Sequence, residues 1–348
     1  MYRWLQRMFS GPAPAEPAAA PAAVVSAPTL APAAPLTRPA VSFDQLDQTN
    51  SLYYRWLFDT EGESDLDTNP LENQALDALT AIISSQQSGA ALVRRMPGMI
   101  PQLLQSLRSD SFSGAQLSRT ISSDVVLVAA VIRLANSSLA GTGTSINSVE
   151  HAVMLIGQEG LRHLITSVAF RPIIDMNSGH FTRTLAPRIW DHSERCAVAN
   201  RALAESMGID PFEAFLAGLV QNVGLIVSLR IMDQVTKGAK GIGSELFCAQ
   251  LVSHARALTC SIGREWHFPD NVTQAIAEQA GMKKDAVVSP LGRLLTLTDY
   301  LGKVRILVEN DRAAFNDPAL FGGLPPSAAE AYRSLRPIDD AADANAAP

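Results

Sequence analysis

Residues 188–226 read RIWDHSERCAVANRALAESMGIDPFEAFLAGLVQNVGLI. Ile189, Cys196, Ala199, Leu203 and Met207 recur at helical spacing, which predicts one buried face on a helix from about Pro187 to Met207. Gly208 stops it, because glycine alone enters the left-handed conformation of a helix end without steric cost. Asp210-Pro211 starts the next helix, with a capping carboxylate followed by a proline whose missing N–H costs nothing in the first turn. That helix is predicted to run on through FEAFLAGLVQNVGLIVSLRIM. His192 stands on the first helix, Gln221-Asn222 on the second, and Thr298-Asp299 on a distant apolar one, GRLLTLTDYLGKV. One histidine, an adjacent polar pair and a remote aspartate form the skeleton of a helical metal site.

The rest of the chain is punctuated in the same way. FDQLDQTNSLYYRWLF, from Phe43, has partly helical spacing, and Pro70 opens a helix with Leu71, Ala75, Leu76, Leu79, Ile82 and Ile83 on one side. Pro101, Ser113, Asp124 and Ser148 begin further short helices, and later ones cover about 244–265, 270–280 and 288–308. There is no sustained period-2 run and no Asn-Gly hairpin, so an all-α fold is expected. Residues 11–40 are almost entirely Ala and Pro and read as a semi-extended linker. They hold off Met1–Ser10, a short basic amphipathic peptide with Met1, Trp4, Leu5 and Met8 on one face. Its alternatives are a docking or membrane-touching peptide and a frayed terminus; membrane contact is the lesser expectation. The Ala-, Asp- and Pro-rich tail from about Pro325 reads as disordered.

Composition narrows the function classes. The 348 residues are 47% hydrophobic, only 6% aromatic and carry a net charge of −6, which excludes a nucleic-acid scaffold built on a large basic field. The three cysteines, Cys196, Cys248 and Cys260, form no disulfide framework and no CxxC pair, which suits a reducing cytoplasm. No clean apolar run is expected to approach a membrane span; the longest is Val125–Ile132.

The order of His192, an adjacent pair and Asp299 is similar to the HD superfamily of helical metal-dependent phosphohydrolases, where it runs His, His-Asp, Asp. Upstream motifs narrow the likeness. Met96-Pro97-Gly98-Met99-Ile100-Pro101, Ile121-Ser122-Ser123-Asp124, Arg133-Leu134-Ala135-Asn136-Ser137 and the Ser148–Gly157 helix, followed by REWHFPDNVTQAI at 264–276, resemble the HDOD branch, the HD-related output domain of bacterial signalling proteins. The resemblance covers about 200 residues and implies a two-lobed helical domain over 92–308. The first lobe would take 92–180 and a degenerate HD lobe 181–308, flanked by a helical segment at 41–91 and an extension and disordered tail at 309–348.

Departures from the HD pattern set the functional expectation. Gln221-Asn222 stand where the metal-binding His-Asp pair belongs, and carboxamides supply neither charge nor a comparable donor. Glu278-Gln279 stand near a missing His-His, and the correspondence of His254 to a family histidine is unsettled. Only His192 and Asp299 persist, and two ligands do not hold a catalytic ion against water. No metal, no cofactor and no catalytic residue is therefore expected. The expected function is a non-catalytic output or adaptor module that binds a signalling protein and no nucleic acid, in the cyclic di-GMP or two-component circuits the family implies. The alternatives are an HD-type phosphohydrolase acting on a nucleotide with a rebuilt metal site, and a small-molecule receptor using the vacated cavity.

Each feature also has an ordinary structural explanation. His192 reads as a core histidine with a satisfied hydrogen bond, and Gln221 and Asn222 as amides bonded inside the old cavity. Cys248, His254, Cys260 and His267 have a spacing unlike the short knuckles of structural zinc. Arg133, Asn136 and Ser137 beside AGTGTSIN offer a partner or ligand surface, or simply a capped helix end and a tight loop.

Overall fold

The computed structural model describes residues 37–60, 67–84, 179–237, 241–280, 282–315 and 317–335, with the single positions Ile132, His151 and Thr166. The first lobe expected at 92–180, with Arg133, Asn136 and Ser137, lies outside the described residues except for those three positions and for Gly179 and His180 at its end. Met1–Ser10 and the linker as far as Leu36 lie outside them too. The described part is all-α: no strand occurs in it, and one isolated antiparallel bridge joins Thr37 to Val288.

The helices are α1 (Phe43–Leu57), α2 (Pro70–Ser84), α3 (His180–Ala204), α4 (Pro211–Val220), α5 (Val223–Thr236), α6 (Glu245–Glu265), α7 (Asp270–Gln279), α8 (Pro290–Glu309), α9 (Pro318–Phe321) and α10 (Ser327–Ser334). Most starts follow local capping chemistry. Ser42 and Gln45 form a reciprocal capping box on α1. Asp210 with Pro211, Ser244, and Ser289 with Pro290 cap α4, α6 and α8. One 3-10 turn, Glu205–Met207, carries α3 into Gly208 at φ +67°.

Helix α3 packs on α4, α5, α8 and α10, while α6 packs on α2, α5 and α7 and α8 also meets α1 and α7. Tyr53, Leu57, Ala75 and Leu79 from α1 and α2 belong to the same continuous core as the later helices. Buried polar groups pin the crossings. The Asn200 amide donates to the Ala214 carbonyl at 3.0 Å and accepts from the Thr298 hydroxyl at 2.6 Å, joining α3, α4 and α8.

Three differences from the sequence reading have physical causes. Helix α3 begins at His180, not near Pro187, because the Asp233 carboxylate of α5 accepts from the Phe181 and Thr182 N–H groups at 2.7 and 3.0 Å. That cap comes from another helix, and Gly179 makes room for it: a Cβ there would lie 2.5 Å from the Asp233 carboxyl carbon. The predicted helix through Gln221-Asn222 is two helices, broken at those residues. The tail read as disordered from Pro325 is helical in α10, where Ala328, Ala331 and Tyr332, followed by Leu335, bury one face. Among the described residues, Pro211–Thr236 has the length and apolar composition of a membrane span, but it is broken into α4 and α5 and 94% of its most apolar window is buried in protein.

Candidate functional site

The break between α4 and α5 places Asn222 beneath α3. His192, Asn222 and Asp299, far apart in sequence, come together there. The Asn222 amide nitrogen donates to the Ser193 hydroxyl at 3.0 Å and lies 3.3 Å from His192 Nδ1. Ser193 donates its own hydrogen to the Ile189 carbonyl, so its oxygen is free to accept from this amide. Nδ1 is then an acceptor, and Nε2 carries the proton, facing the Asp299 carbonyl at 3.3 Å and its Oδ1 at 3.6 Å. Helix α8 approaches closely because residue 302 is glycine: a Cβ would sit 2.9 Å from His192 Nε2 and 3.1 Å from Cys196 Sγ.

Burial pushes the His192 imidazole down to about 4, against the upward pull of Asp299. The Cys196 thiol is raised well above its ordinary value, first by burial and then by Asp299. For Asp299, burial alone would raise the carboxyl, but Lys303, His192 and Arg256 together hold it at about 2. The decisive partner is Lys303, one helical turn on, whose ammonium lies 2.7 Å from Asp299 Oδ2 and donates to Asn50 Oδ1 at 2.8 Å. Both side chains are buried, and the ammonium also lies over the Tyr53 and Tyr54 rings at 5.6 and 5.5 Å. Arg256 adds a second cation, 3.7 Å from Asp299 Oδ2.

These residues do not fit a divalent ion. The carboxylate that would neutralise one is already held by an ammonium, and a divalent ion would be repelled by both Lys303 and Arg256. Asn222 turns its N–H toward the imidazole lone pair that a metal would take. Among the described residues, no group of three or more His, Cys, Asp or Glu side chains is arranged to hold a metal. Lys303 and Arg256 were missed in the sequence reading, although an Asp-x-x-x-Lys pair inside an apolar helix signals a buried ion pair.

Gln221 lies apart from the network. It is 1% exposed, and the polar group its amide meets is the Cys196 thiol, a weak hydrogen-bonding partner. Gln221→Met replaces a buried amide that has only a thiol to bond, at nearly constant volume, so it should raise unfolding stability by about 1 kcal/mol in urea titrations. A loss of stability would show that the amide is needed.

Glu278, Gln279, His254, His267 and Cys260 make contacts within and between helices. Glu278 accepts from the Ser289 N–H and hydroxyl at 3.0 and 2.9 Å, and Gln279 bonds Thr296 and the Gly292 carbonyl, so both brace α7 on α8. His254 bonds Thr80 and the Gln250 carbonyl, His267 bonds the Glu265 carbonyl, and Cys260 contacts the Thr273 carbonyl.

The His192 environment sets a pH dependence. Free histidine titrates near 6.5, so below that pH the unfolded chain binds a proton that native His192 refuses until about 4. Its contribution is complete above pH 6.5 and is lost as pH falls to 4, by about 3 kcal/mol at most. Asp299 acts in the same direction lower down, losing its contribution as pH falls from the ordinary 3.8 toward about 2. Denaturant melts at pH 7, 5.5 and 4.5 should show the decline, and His192→Gln should flatten it. An equally steep decline in that variant would contradict the assignment.

The HDOD domain family model matches residues 93–282, just over half of the chain. The chain belongs to the HDOD family. An HDOD domain protein of unknown function from Geobacter sulfurreducens shares its fold, with TM-score 0.51 and 18% identity, over 79% of this chain and 97% of that one. A Marinobacter aquaeolei VT8 protein provisionally named for signal transduction gives TM-score 0.53 and 19% identity, over 78% and 64% of the two chains. A Shewanella amazonensis SB2B protein provisionally named a metal-dependent phosphohydrolase gives 0.51 and 18%, over 77% and 98%. An uncharacterised protein of Treponema pallidum (strain Nichols) is 21% identical over 194 residues; the match spans 53% of the HDOD chain and 37% of that relative.

Proposed function

We propose that this HDOD protein is a non-catalytic signal-output module that works by binding a protein partner. The observation that carries the reading is the Lys303 ammonium, 2.7 Å from the Asp299 carboxylate. The positive charge that an HD hydrolase takes from its metal is supplied here by the protein itself, and an ammonium cannot lower the pKa of a bound water as a metal does. With Gln221-Asn222 in place of His-Asp, no metal-ligand set to activate a water nucleophile remains among the described residues. The shared fold of the Marinobacter aquaeolei protein provisionally named for signal transduction agrees with an output role. The proposed setting is cytoplasmic, with the partner drawn from a cyclic di-GMP or two-component circuit. The 11–40 linker would give Met1–Ser10 reach, raising its effective concentration near a tethered site.

The test is hydrolysis of bis(4-nitrophenyl) phosphate by the full chain, with manganese or ferrous ion added. The expected result is no turnover above buffer, and turnover abolished by His192→Ala would establish the phosphohydrolase instead. Crosslinking in the native host, with the full chain and a chain lacking residues 1–40, tests the adaptor role. A specific signalling partner is expected, and recovery of none would contradict it.

A further inference from the structure

A cavity of about 340 Å³ opens between α1 and α6, a volume suited to a small molecule. Leu46, Asn50 and Tyr54 of α1, Val252 and Arg256 of α6, and Asp299 of α8 line it. Arg256 is only 7% exposed, and its Nη1 has no hydrogen-bond partner. Its other terminal nitrogen lies 3.7 Å from Asp299, whose nearer partner is Lys303 at 2.7 Å. Among the described residues, Asp299 is the sole carboxylate paired with either cation, so two buried cations share one anion. The other carboxylates lining the cavity, Asp47 and Glu245, are exposed to water and do not discharge the guanidinium. A buried charge without compensation is costly, and guanidinium is the side chain best suited to a planar oxyanion.

We propose that this cavity binds a small organic monoanion, with Arg256 as the residue that takes its charge. One negative charge balances the centre; a dianion would overshoot it and meet Asp299. Leu46, Val252 and the Tyr54 ring offer an apolar wall for the body of the ligand, which carries its charge as a carboxylate or a phosphodiester. The site is independent of the adaptor role: a module without catalysis can still be switched by a ligand.

The probes are 2-naphthoate for the carboxylate, bis(4-nitrophenyl) phosphate for the phosphodiester, and neutral 2-naphthamide as control, each titrated calorimetrically into the full chain. At least one anion should bind in a salt-sensitive way, at least tenfold more tightly than the amide, and which one binds distinguishes the two charge carriers. Arg256→Gln should weaken that binding at least tenfold, and Arg256→Lys should restore part of it. Arg256→Gln also removes the excess buried charge, so its thermal midpoint should equal or exceed that of the parent. Ala249→Trp, at an exposed position on the cavity wall, should block binding and leave Arg256 in place. Failure of both anions to bind at millimolar concentration, equal binding of the amide, or unchanged binding in Arg256→Gln or Ala249→Trp would overturn the proposal. A marked drop in the Arg256→Gln midpoint would overturn it too, by making Arg256 a structural brace for Asp299.

Discussion

Asp299→Asn should lower unfolding stability by about 3–5 kcal/mol, because it strands two buried cations at once. Lys303 is 3% exposed and Arg256 7%, and neither has another carboxylate within ion-pair distance among the described residues. Lys303→Met alone should cost less, since Arg256 stays 3.7 Å from the carboxylate and the remaining pair is neutral overall. The double variant should therefore be more stable than the sum of the singles, with a coupling of about 2 kcal/mol or more in a denaturant double-mutant cycle. Additive losses, or an Asp299→Asn cost below about 1 kcal/mol, would mean that water reaches the centre and discharges it.

Glu72→Ala should cost about as much, 3–5 kcal/mol, for a different reason. The Glu72 carboxylate is fully buried and closes two helix ends at once. It accepts from the Asn69 N–H at 2.9 Å at the start of α2, and from the Gly243 N–H, the Ser244 N–H and the Ser244 hydroxyl at 2.7, 2.8 and 2.8 Å at the start of α6. Alanine leaves these donors buried without an acceptor. Glutamine keeps one oxygen but turns a donor toward the others, so its loss should be intermediate. Urea unfolding of the three proteins measures this, and an alanine variant within about 1 kcal/mol of the parent would show that the ends are satisfied otherwise.

The elements whose cause is local were legible in the sequence. Asp210-Pro211, Ser244 and Ser289-Pro290 each announce a helix start, and α4, α6 and α8 begin there. The gathering of His192, Asn222 and Asp299 was foreseen through the family order of those residues. What escaped was made by tertiary contact. The start of α3 depends on Asp233, more than fifty residues away, and nothing beside His180 signals it. The break at Gln221-Asn222 was hidden because the flanking residues are apolar on both sides, so periodicity runs straight through; the break is fixed where Gly224 packs against the Ala255 carbonyl and its N–H donates to Thr259 at 2.9 Å. Arg256 was unreadable for the same reason: its helical face is identifiable, but the helix it faces is not. Two signals were present and unused. The spacing of Ala328, Ala331, Tyr332 and Leu335 marks α10 as amphipathic, and Lys303 stands four residues after Asp299 in a helix with few other charges.

The Lys303 ammonium occupies the Asp299 carboxylate that a metal would need, so the protein should hold no ion at this centre. Elemental analysis of the full chain, expressed in metal-replete medium and purified without chelator, tests it most directly. The predicted result is manganese, iron and zinc each far below one per chain, and unchanged in His192→Ala. One tightly held ion per chain, lost when His192 is replaced, would contradict it.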